Sequence, residues 1–405
     1  MRFIHTADFH LGKTLCQHSL LEDQSYILGE IKRVIKAEKP DAVIIAGDLY
    51  DRSVPPADAV SVLDDWLADV VLEMGVPVLA IAGNHDSASR LQFGSGMLQK
   101  AGYHMAALPS RGIGHVRLED AAGPVDVFLL PYADPPYVRD YFLARAGDDE
   151  TAREAAAEIR EHDQAMKAWM AHLADLRGNE GMDSKRAVLV GHAFVQGGDV
   201  SDSERKLSVG GADQVPADHF AGLDYVALGH LHKPQQMLGG TVRYSGSPLK
   251  YSISEAEHQK CLLMVELDGD GQVEVTEIPL AARRDLRILE GTLDEIVEAG
   301  TAAKAEGRDE DYIHARVISD EVLHEPMRKI KTVWPHALSM ERVLTRVAGD
   351  NTVGSGQENT ISQRLAERPL DELFGDFHRQ LLERDLGDDA LTVVQTTVTD
   401  LNRHE

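Results

Sequence analysis

MRFIHTADFH, residues 1–10, joins a short apolar run to an Asp-x-His pair, and four later segments repeat this arrangement. The later segments are Gly47-Asp48-x-x-Asp51-Arg52, Gly83-Asn84-His85-Asp86, Gly191-His192 and Gly229-His230-x-His232. Each of the five follows apolar, largely β-branched residues, a pattern that predicts strands buried on both faces. Because open α/β sheets bind ligands where their strands end, we expect all five segments to meet at one rim.

The polar side chains of these segments are carboxylates, imidazoles and one amide, without thiolates. This mixture of oxygen and nitrogen ligands suits Mn²⁺, Fe or Zn²⁺ and argues against a structural zinc site. A single Asp-x-His or Gly-His is usually only a turn or a hydrogen-bonded histidine. The ordered set of five instead indicates a two-metal site that hydrolyses a phosphoester.

The predicted ligands divide between two ions. Asp8 and His10 alternate along an extended segment and suit one ion, to which His232 can return. Asp48 follows a glycine at a neighbouring strand end and can bridge both ions through its two oxygens. The remaining ligands are expected to complete the second ion: Asn84, His192 and His230.

Residues beside the ligands suggest how the bond is cleaved. If Asn84 is a ligand, its neighbour His85 diverges from the metal and is better suited as a general acid for the leaving alkoxide. Asp86 is expected to hold the His85 ring and favour its protonated form. Arg52 either holds a phosphate oxygen or pairs with a nearby acid, and Asp51 is expected to cap or orient its loop.

Composition limits the possible partners. The 405 residues predict two or three domains. A net charge of −26 disfavours simple binding to nucleic acid, which requires Lys and Arg for counterion release. Either the acids lie away from the substrate or a partner supplies a basic surface. Two distant cysteines, and no apolar run near the ~18 residues of a membrane span, predict a soluble protein of the reducing cytoplasm.

The periodicity of apolar residues divides the chain. Helical patterns cover 22–38, 57–74 and 150–177, and residues 261–267 and 273–278 form a predicted β-hairpin. Strand–helix alternation followed by antiparallel strands favours two packed sheets with helices outside.

A second unit is expected from residue 281. Strands at 286–289, 312–318 and 337–343 alternate there with helices at 293–304 and 325–333. We therefore divide the chain into domains 1–280 and 281–346, a flexible linker 347–362 and a segment 363–405. The last segment contains an amphipathic helix beginning at Pro369, which either docks back or binds a partner.

MRFIHTADFHLGK, AGDLYDRSVPP, AGNHDSASRL, LGHLHKPQ and RYSGSPLKYSISE resemble the calcineurin-like metallophosphoesterase superfamily and, within it, the bacterial SbcD nuclease subunits. The similarity runs from residue 1 to about 345. It implies an α/β (α+β) fold, a four-layer metallophosphoesterase β-sandwich flanked by helices. It also implies a small α+β capping domain for DNA and a C-terminal helical segment that binds the partner.

The resemblance implies a DNA nuclease that uses two divalent ions, with Mn²⁺ as the expected metal. The implied activities are a 3′-to-5′ double-strand exonuclease and a single-strand or hairpin endonuclease, in DNA repair, recombination and replication. The implied partners are DNA ends and hairpins and an SbcC-type coiled-coil ATPase. A homodimer, formed by helices near 58–74 and 89–101, would lie within a heterotetramer, associated with the nucleoid and not with a membrane. The alternatives are a phosphatase or phosphodiesterase on the same two-metal scaffold, and a non-catalytic binding module.

The family pattern carries over onto individual residues. One ion matches that bound by Asp8, His10, Asp48 and His232, and the other that bound by Asp48, Asn84, His192 and His230. His85 occupies the position of the family's catalytic histidine, with Asp86 beside it. Arg52 and Arg90 are candidate DNA-binding residues, together with Lys206. Archaeal relatives have a histidine where this chain has Asp51, so no role of that histidine is carried over.

Overall fold

The computed structural model describes residues 1–179, 181–204 and 213–344, and the isolated positions 374, 378, 387, 390, 391, 393, 394 and 397. The chain divides into two compact units, Met1–Thr345 and Arg346–Glu405. The predicted linker 347–362, most of the predicted segment 363–405 and Lys206 lie outside the described residues.

Two six-stranded sheets form most of the first unit. Across the first sheet the strands are Val273–Pro279, Cys261–Leu267, Arg2–Thr6, Ala42–Ile45, Val78–Ile81 and Tyr103–Ala106. Across the second they are Gln235–Met237, Val242–Tyr244, Tyr225–Gly229, Arg186–His192, Gly123–Leu129 and Gly114–Asp120. Four adjacent strands run parallel in each sheet, and the others are antiparallel. The parallel strands therefore end at a common edge.

Apolar side chains pack between the two sheets, among them Ile44 and Leu79 facing Val127 and Val188. The outer face of the first sheet is covered by helices Leu21–Glu38 and Ala57–Ala68. Helices Pro135–Ala146 and His162–Leu176 cover the second. The result is a helix–sheet–sheet–helix order, so the predicted α/β fold of two packed sheets with helices outside is confirmed.

Shorter elements complete the two-sheet part. The short helices are Ala88–Gln92 and Ser95–Leu98, and single 3₁₀ turns occur at Gln99–Ala101, Pro109–Arg111, Ala217–Phe220, Leu238–Gly240 and Ile253–Glu255. Two-stranded ribbons pair Thr14–Leu15 with His18–Ser19, and Phe194–Val195 with Gln214–Val215. Among the described residues, no helix combines the length and apolar character that crossing a membrane requires.

Two of the three long helical predictions agree with the structure, and one is wrong. The pattern at 57–74 forms Ala57–Ala68 followed by a π-helical turn at Asp69–Glu73. The single helix expected at 150–177 is two helices, Glu150–Ala157 and His162–Leu176. The second starts at its own capping box, in which the Gln164 side chain accepts a hydrogen bond from the Glu161 backbone N–H. A local cap thus interrupts a continuous apolar stripe.

The region after residue 281 agrees closely with its predicted pattern. Three parallel strands, Leu286–Gly291, Tyr312–Ile318 and Ala337–Val343, alternate with helices Leu293–Ala305 and Pro326–Val333. Each of the first two strands is followed by a helix that packs back on the small sheet through an apolar core of its own.

A buried ion pair joins this small sheet to the two-sheet part. The Arg284 guanidinium lies 3.1 Å from the Asp23 carboxylate, which also accepts a 2.7 Å hydrogen bond from the Tyr312 hydroxyl. The side chains of Arg284 and Asp23 are only 8% and 2% exposed. Leu20 and Leu286 pack in the same shared core. Removing one member of such a pair leaves a buried charge uncompensated, so the contact ties the two parts firmly together.

Candidate metal centre

The five polar segments meet at one edge of the two-sheet packing, as expected from strand ends. Loops after strands of the first sheet contribute Asp8, His10, Asp48, Asn84 and His85, and the second sheet contributes His192, His230 and His232. All of the predicted metal ligands except Asn84 are buried, and Asn84 is half-buried. The centre is therefore assembled from both sheets and not from a single loop.

Small residues let the two sheets approach at this edge. A Cβ atom at Gly229 would collide with the carbonyl oxygen of Ala46 and lie 3.0 Å from the Ala7 Cβ. Since a carbonyl group cannot yield as a side chain does, a larger residue fits here only if the backbone of the two sheets moves apart. The next residue, His230, is placed directly by this close contact.

The backbone is unusual at four predicted ligands. Asp8, His10, Asp48 and His230 adopt positive φ angles of 55°, 43°, 50° and 103°. Such conformations cost about 1–2 kcal/mol for residues with a Cβ and concentrate at functional sites. Here each turns the chain sharply at the end of a strand and directs a polar side chain towards the shared centre.

One group of predicted ligands surrounds His10. Its Nε2 atom lies 3.1 Å from Nε2 of His232 and 3.6 Å from the Asp48 carboxylate. Ligand atoms of Asp8, His10 and His232 all lie within 4.8 Å of one another. Two imidazole nitrogens that face each other at this distance, beside a carboxylate, are arranged to share a cation.

A second group surrounds His192. Its Nε2 atom lies 3.5 Å from the Asp48 carboxylate and 2.9 Å from Asn84 Oδ1, while His230 Nδ1 lies 3.2 Å from the same amide oxygen. Asp8, Asp48 and His192 also form a group within 4.8 Å. Asp48 contacts both groups, as expected of a bridging ligand, and Asp8 belongs to both as well.

The ionisation of these side chains suits divalent cations. Burial holds the pKa of His10 and His230 well below the usual range, so both imidazoles keep a free lone pair. Burial lowers the pKa of His192, but the Asp48 and Asp8 carboxylates outweigh it and raise the pKa to about 9. The Asp8 and Asp48 carboxylates thus favour a positive charge beside His192. A divalent ion would supply that charge, and these donors fit it.

His85 is held from two sides. Its backbone N–H donates to Asp48 Oδ1 at 2.9 Å, and its Nδ1 lies 2.9 Å from the carbonyl oxygen of Asp51. Because a carbonyl only accepts, Nδ1 carries the proton and Nε2 is left for another partner. The ring stands edge-on to His10, with centroids 4.6 Å apart. His85 therefore borders the ligands while its ring is fixed by the Asp51 backbone.

Asp86 does not hold the His85 ring, so that expectation is wrong. Its carboxylate accepts three backbone N–H bonds, from Leu49 at 3.1 Å, Tyr50 at 3.0 Å and Gly83 at 3.0 Å. These bonds satisfy the carboxylate and fasten the Asp48 loop to the Asn84 loop. Asp86 thus supports the centre by holding the backbone of the two loops that carry Asp48 and Asn84.

The basic candidates lie at the periphery. Arg52 is 62% exposed, and its Nε is 3.8 Å from the Asp51 carboxylate, which favours the pairing alternative. Arg90 is exposed on the helix Ala88–Gln92. Asp51 does more than cap its loop, since it also accepts from Lys13 Nζ at 2.8 Å and lies 3.6 Å from His10 Nδ1.

Several supporting residues escaped sequence reasoning. Gln24 donates to the carbonyl oxygen of His10 at 2.7 Å, and Glu204 accepts from the backbone N–H of His232 at 2.8 Å. Glu255 lies behind His232. Only Glu255 had a sequence signal, since it ends the segment RYSGSPLKYSISE. The others stand in ordinary helical or loop sequence, where nothing distinguishes them.

Family models match most of the chain. Residues 1–234 match the calcineurin-like phosphoesterase family, and residues 282–381 match the type 5 capsule protein repressor C-terminal domain. The first match contains every predicted ligand. The second covers the small parallel sheet and continues into the second unit.

Curated relatives agree with these matches. The chain is 32% identical to the SbcD subunit of the SbcCD nuclease of Staphylococcus epidermidis, over 85% of this chain and 86% of that protein. It is 33% identical to the same subunit of Staphylococcus saprophyticus, over 92% of each chain. Among solved structures, a dimetal phosphatase from Danio rerio is 14% identical, with a TM-score of 0.41 over 69% of this chain and 99% of that one. The resemblance noted from the sequence is confirmed by the curated relatives.

The contact at Gly229 gives a testable expectation. Gly229→Ala should destabilise the fold by about 1–3 kcal/mol, because the added methyl overpacks against the Ala46 carbonyl. It should also weaken metal binding by displacing His230. Urea denaturation and calorimetric titration with Mn²⁺ would measure the two effects.

Gly29→Ala is the matched control. Gly29 lies within helix Leu21–Glu38 with no atom near its missing Cβ, so alanine should stabilise the protein slightly and leave metal binding unchanged. Equal behaviour of the two variants would contradict the role assigned to the contact between the sheets.

Proposed function

Since the chain belongs to the calcineurin-like phosphoesterases and, within them, to the SbcD-type nuclease subunits, we propose that it cleaves DNA at a centre of two Mn²⁺ ions. The proposed activities are 3′-to-5′ exonuclease action on double strands and endonuclease action on single strands and hairpins. The proposal rests above all on the convergence of buried carboxylates and imidazoles from both sheets around Asp48.

The proposed ligands are Asp8, His10, Asp48 and His232 for one ion, and Asp48, Asn84, His192 and His230 for the other. When bound, two such ions activate a water molecule and stabilise charge on the phosphoryl oxygens. Asp48 lies against both groups and orients them to each other. The remaining steps belong to side chains that border the ligands.

His85 is proposed to protonate the leaving oxygen. The Asp51 carbonyl accepts from Nδ1, so the proton given to the leaving oxygen would come from Nε2 of the protonated ring, which is left neutral with its proton on Nδ1. The contact of His85 with the Asp48 carboxylate is made by the backbone, so the imidazole need not serve as a ligand.

Substrate access is supported by a cavity of about 750 Å³ beside the ligands. Its lining includes Asn84 and Asp86 from the centre together with Tyr137 and Arg145. Its volume lies within the range of ligand-binding clefts. Arg90 is proposed to contact DNA phosphates outside it, and Arg52 would do so only by leaving the Asp51 carboxylate, 3.8 Å from its Nε. An ATPase partner would offset the chain's net charge of −26.

We further propose that two copies of the chain associate through the region after the second and third loops. Large apolar side chains are exposed there, including Val60, Leu72, Phe93 at 84% and Met97 at 73%. Several large apolar side chains exposed within two short ranges of a charged chain are typical of a protein interface. A second copy is the proposed occupant, because both ranges coincide with those that the family resemblance assigns to dimerisation.

The remaining proposals concern the larger assembly. The segment 363–405, which lies mainly outside the described residues, is proposed to bind an SbcC-type coiled-coil ATPase in a heterotetramer of the cytoplasm. The domain beginning at 281 is proposed to cap bound DNA. Such a complex would process DNA ends in repair, recombination and replication.

The nuclease proposal predicts cleavage of an end-labelled DNA duplex by the purified chain in Mn²⁺. Asp8→Ala and EDTA should both abolish cleavage, the first because it removes a ligand.

His85→Ala should reduce the rate by about 10²- to 10⁴-fold, the contribution typical of a general acid, while Mn²⁺ binding is retained. Cleavage at the normal rate by His85→Ala would reject the general acid. Hydrolysis of phosphomonoesters without any DNA cleavage would instead favour a phosphatase.

The dimer proposal predicts that Phe93→Glu/Met97→Glu converts a dimer into a monomer, because burying two carboxylates in an apolar interface is unfavourable. Light scattering after size-exclusion chromatography would measure the mass. Val322→Glu is the control, since Val322 is 80% exposed in the region of the small sheet. A wild-type monomer, or a double variant that stays dimeric, would refute the proposal.

The partner proposal predicts that deleting 363–405 weakens association with a co-produced SbcC-type ATPase while Mn²⁺ binding stays intact. The physical reason is the loss of the apolar stripe of the helix that the sequence predicts from Pro369. Co-purification through a tag on the ATPase would show the effect, and undiminished recovery of the truncated chain would rule the proposal out.

A further inference from the structure

A buried charged cluster lies behind His232, on the side away from His10. The Glu255 carboxylate, which is fully buried, lies 3.3 Å from His232 Nδ1 and 2.5 Å from Lys260 Nζ. The Ser203 hydroxyl bridges His232 and Glu255, since it lies 2.6 Å from His232 Nδ1 and in hydrogen-bond contact with Glu255 Oε1. None of these three partners belongs to the predicted metal ligands or to the proposed proton donor.

The hydrogen-bond directions in this cluster follow from the carboxylate. Ionised Glu255 can only accept, so the Ser203 hydroxyl donates to it and offers its lone pair to His232 Nδ1. His232 must then carry its proton on Nδ1, whether it donates to Ser203 or to Glu255 directly. Its Nε2 atom consequently presents a lone pair towards His10 Nε2, 3.1 Å away.

We propose that Glu255 is a positioning residue that sets the tautomer and the orientation of His232 for metal binding, with Ser203 as an intermediary. The inference rests on the proposed two-metal centre. Carboxylates placed behind ligating imidazoles fix the ring and increase its basicity, and their loss typically weakens metal binding about 10- to 100-fold.

Lys260 makes the buried carboxylate tolerable. Besides Glu255, its ammonium group donates to the His232 carbonyl oxygen at 2.8 Å and to Ser247 Oγ at 2.9 Å. An unpaired carboxylate at this depth would be strongly unfavourable, whereas a paired and fully hydrogen-bonded one is not. Lys260 thus allows a negative charge to stay next to His232 without exposing the ligand to solvent.

Two variants separate positioning from stability. In Glu255→Gln, the side-chain NH₂ group must face either the Lys260 ammonium or the Ser203 hydroxyl. Facing Lys260, it sets two donors against each other. Facing Ser203, it makes the hydroxyl accept from Gln and donate to His232 Nδ1, which reverses the hydrogen bonds to His232. In Glu255→Met/Lys260→Met, both charges are replaced by apolar groups of similar length, a change that often preserves stability. The His232 carbonyl keeps its bond from the Ser247 backbone N–H in that double variant.

Asp126→Asn is the matched control. Asp126 is a fully buried carboxylate that lies 2.9 Å from His115 Nε2, on the strand next to the edge of the second sheet and outside the metal centre. Its loss should lower the melting temperature and leave Mn²⁺ binding unchanged. It therefore measures the effect of breaking a buried histidine–carboxylate pair as such.

The experiment is calorimetric titration of the full-length chains with Mn²⁺, together with thermal unfolding of each. We expect Glu255→Gln and Glu255→Met/Lys260→Met both to bind one of the two ions about 10- to 100-fold more weakly than wild type. The melting temperature of the double variant should stay unchanged. Wild-type affinity in folded Glu255→Met/Lys260→Met would overturn the inference even if Glu255→Gln failed to fold. A wild-type chain that binds fewer than two ions would instead refute the proposed centre itself.

Discussion

The close approach of two sheets at one edge is the constraint on which the candidate centre depends. Neither sheet carries the complete set of predicted ligands, because the carboxylates, the amide and one imidazole come from the first and three imidazoles from the second. The contact of Gly229 with Ala46 brings the two sets together, and left-handed backbone at strand ends turns the side chains inwards. Packing of the apolar core thereby compensates for the cost of gathering buried polar groups.

The sequence predicted much of this arrangement because buried parallel strands have a strong pattern. Apolar runs located the strands, and polar residues at their ends located the centre. The small sheet after 281 was also predictable, since its strands and helices alternate regularly. Local patterns failed at the capping box of Glu161, which interrupts an apolar stripe, and at Asp86. The partners of Asp86 are backbone amides of other loops, which side-chain identity does not reveal.

Residues behind the ligands are the least visible in the sequence and decide how rigid the centre is. Gln24, Asp86 and Glu255 each bind backbone or ligand groups from another part of the chain. All three are polar groups with several satisfied hydrogen bonds, so each fixes its loop without leaving an unpaired charge. Such residues are spread along the chain because they are selected by position in space and not by spacing in sequence.

The buried contact among Asp23, Arg284 and Tyr312 bears on how this molecule can diversify. Asp23 belongs to the helix Leu21–Glu38, and Arg284 to the connection that follows the strand Val273–Pro279. Tyr312 begins the middle strand of the small sheet. A recombination event that replaced residues 281–344 by a homologous segment lacking Arg284 and Tyr312 would remove two members and leave Asp23 behind. Viable chimeras would therefore need a compensating change near the amino terminus, so the two regions are constrained to evolve together.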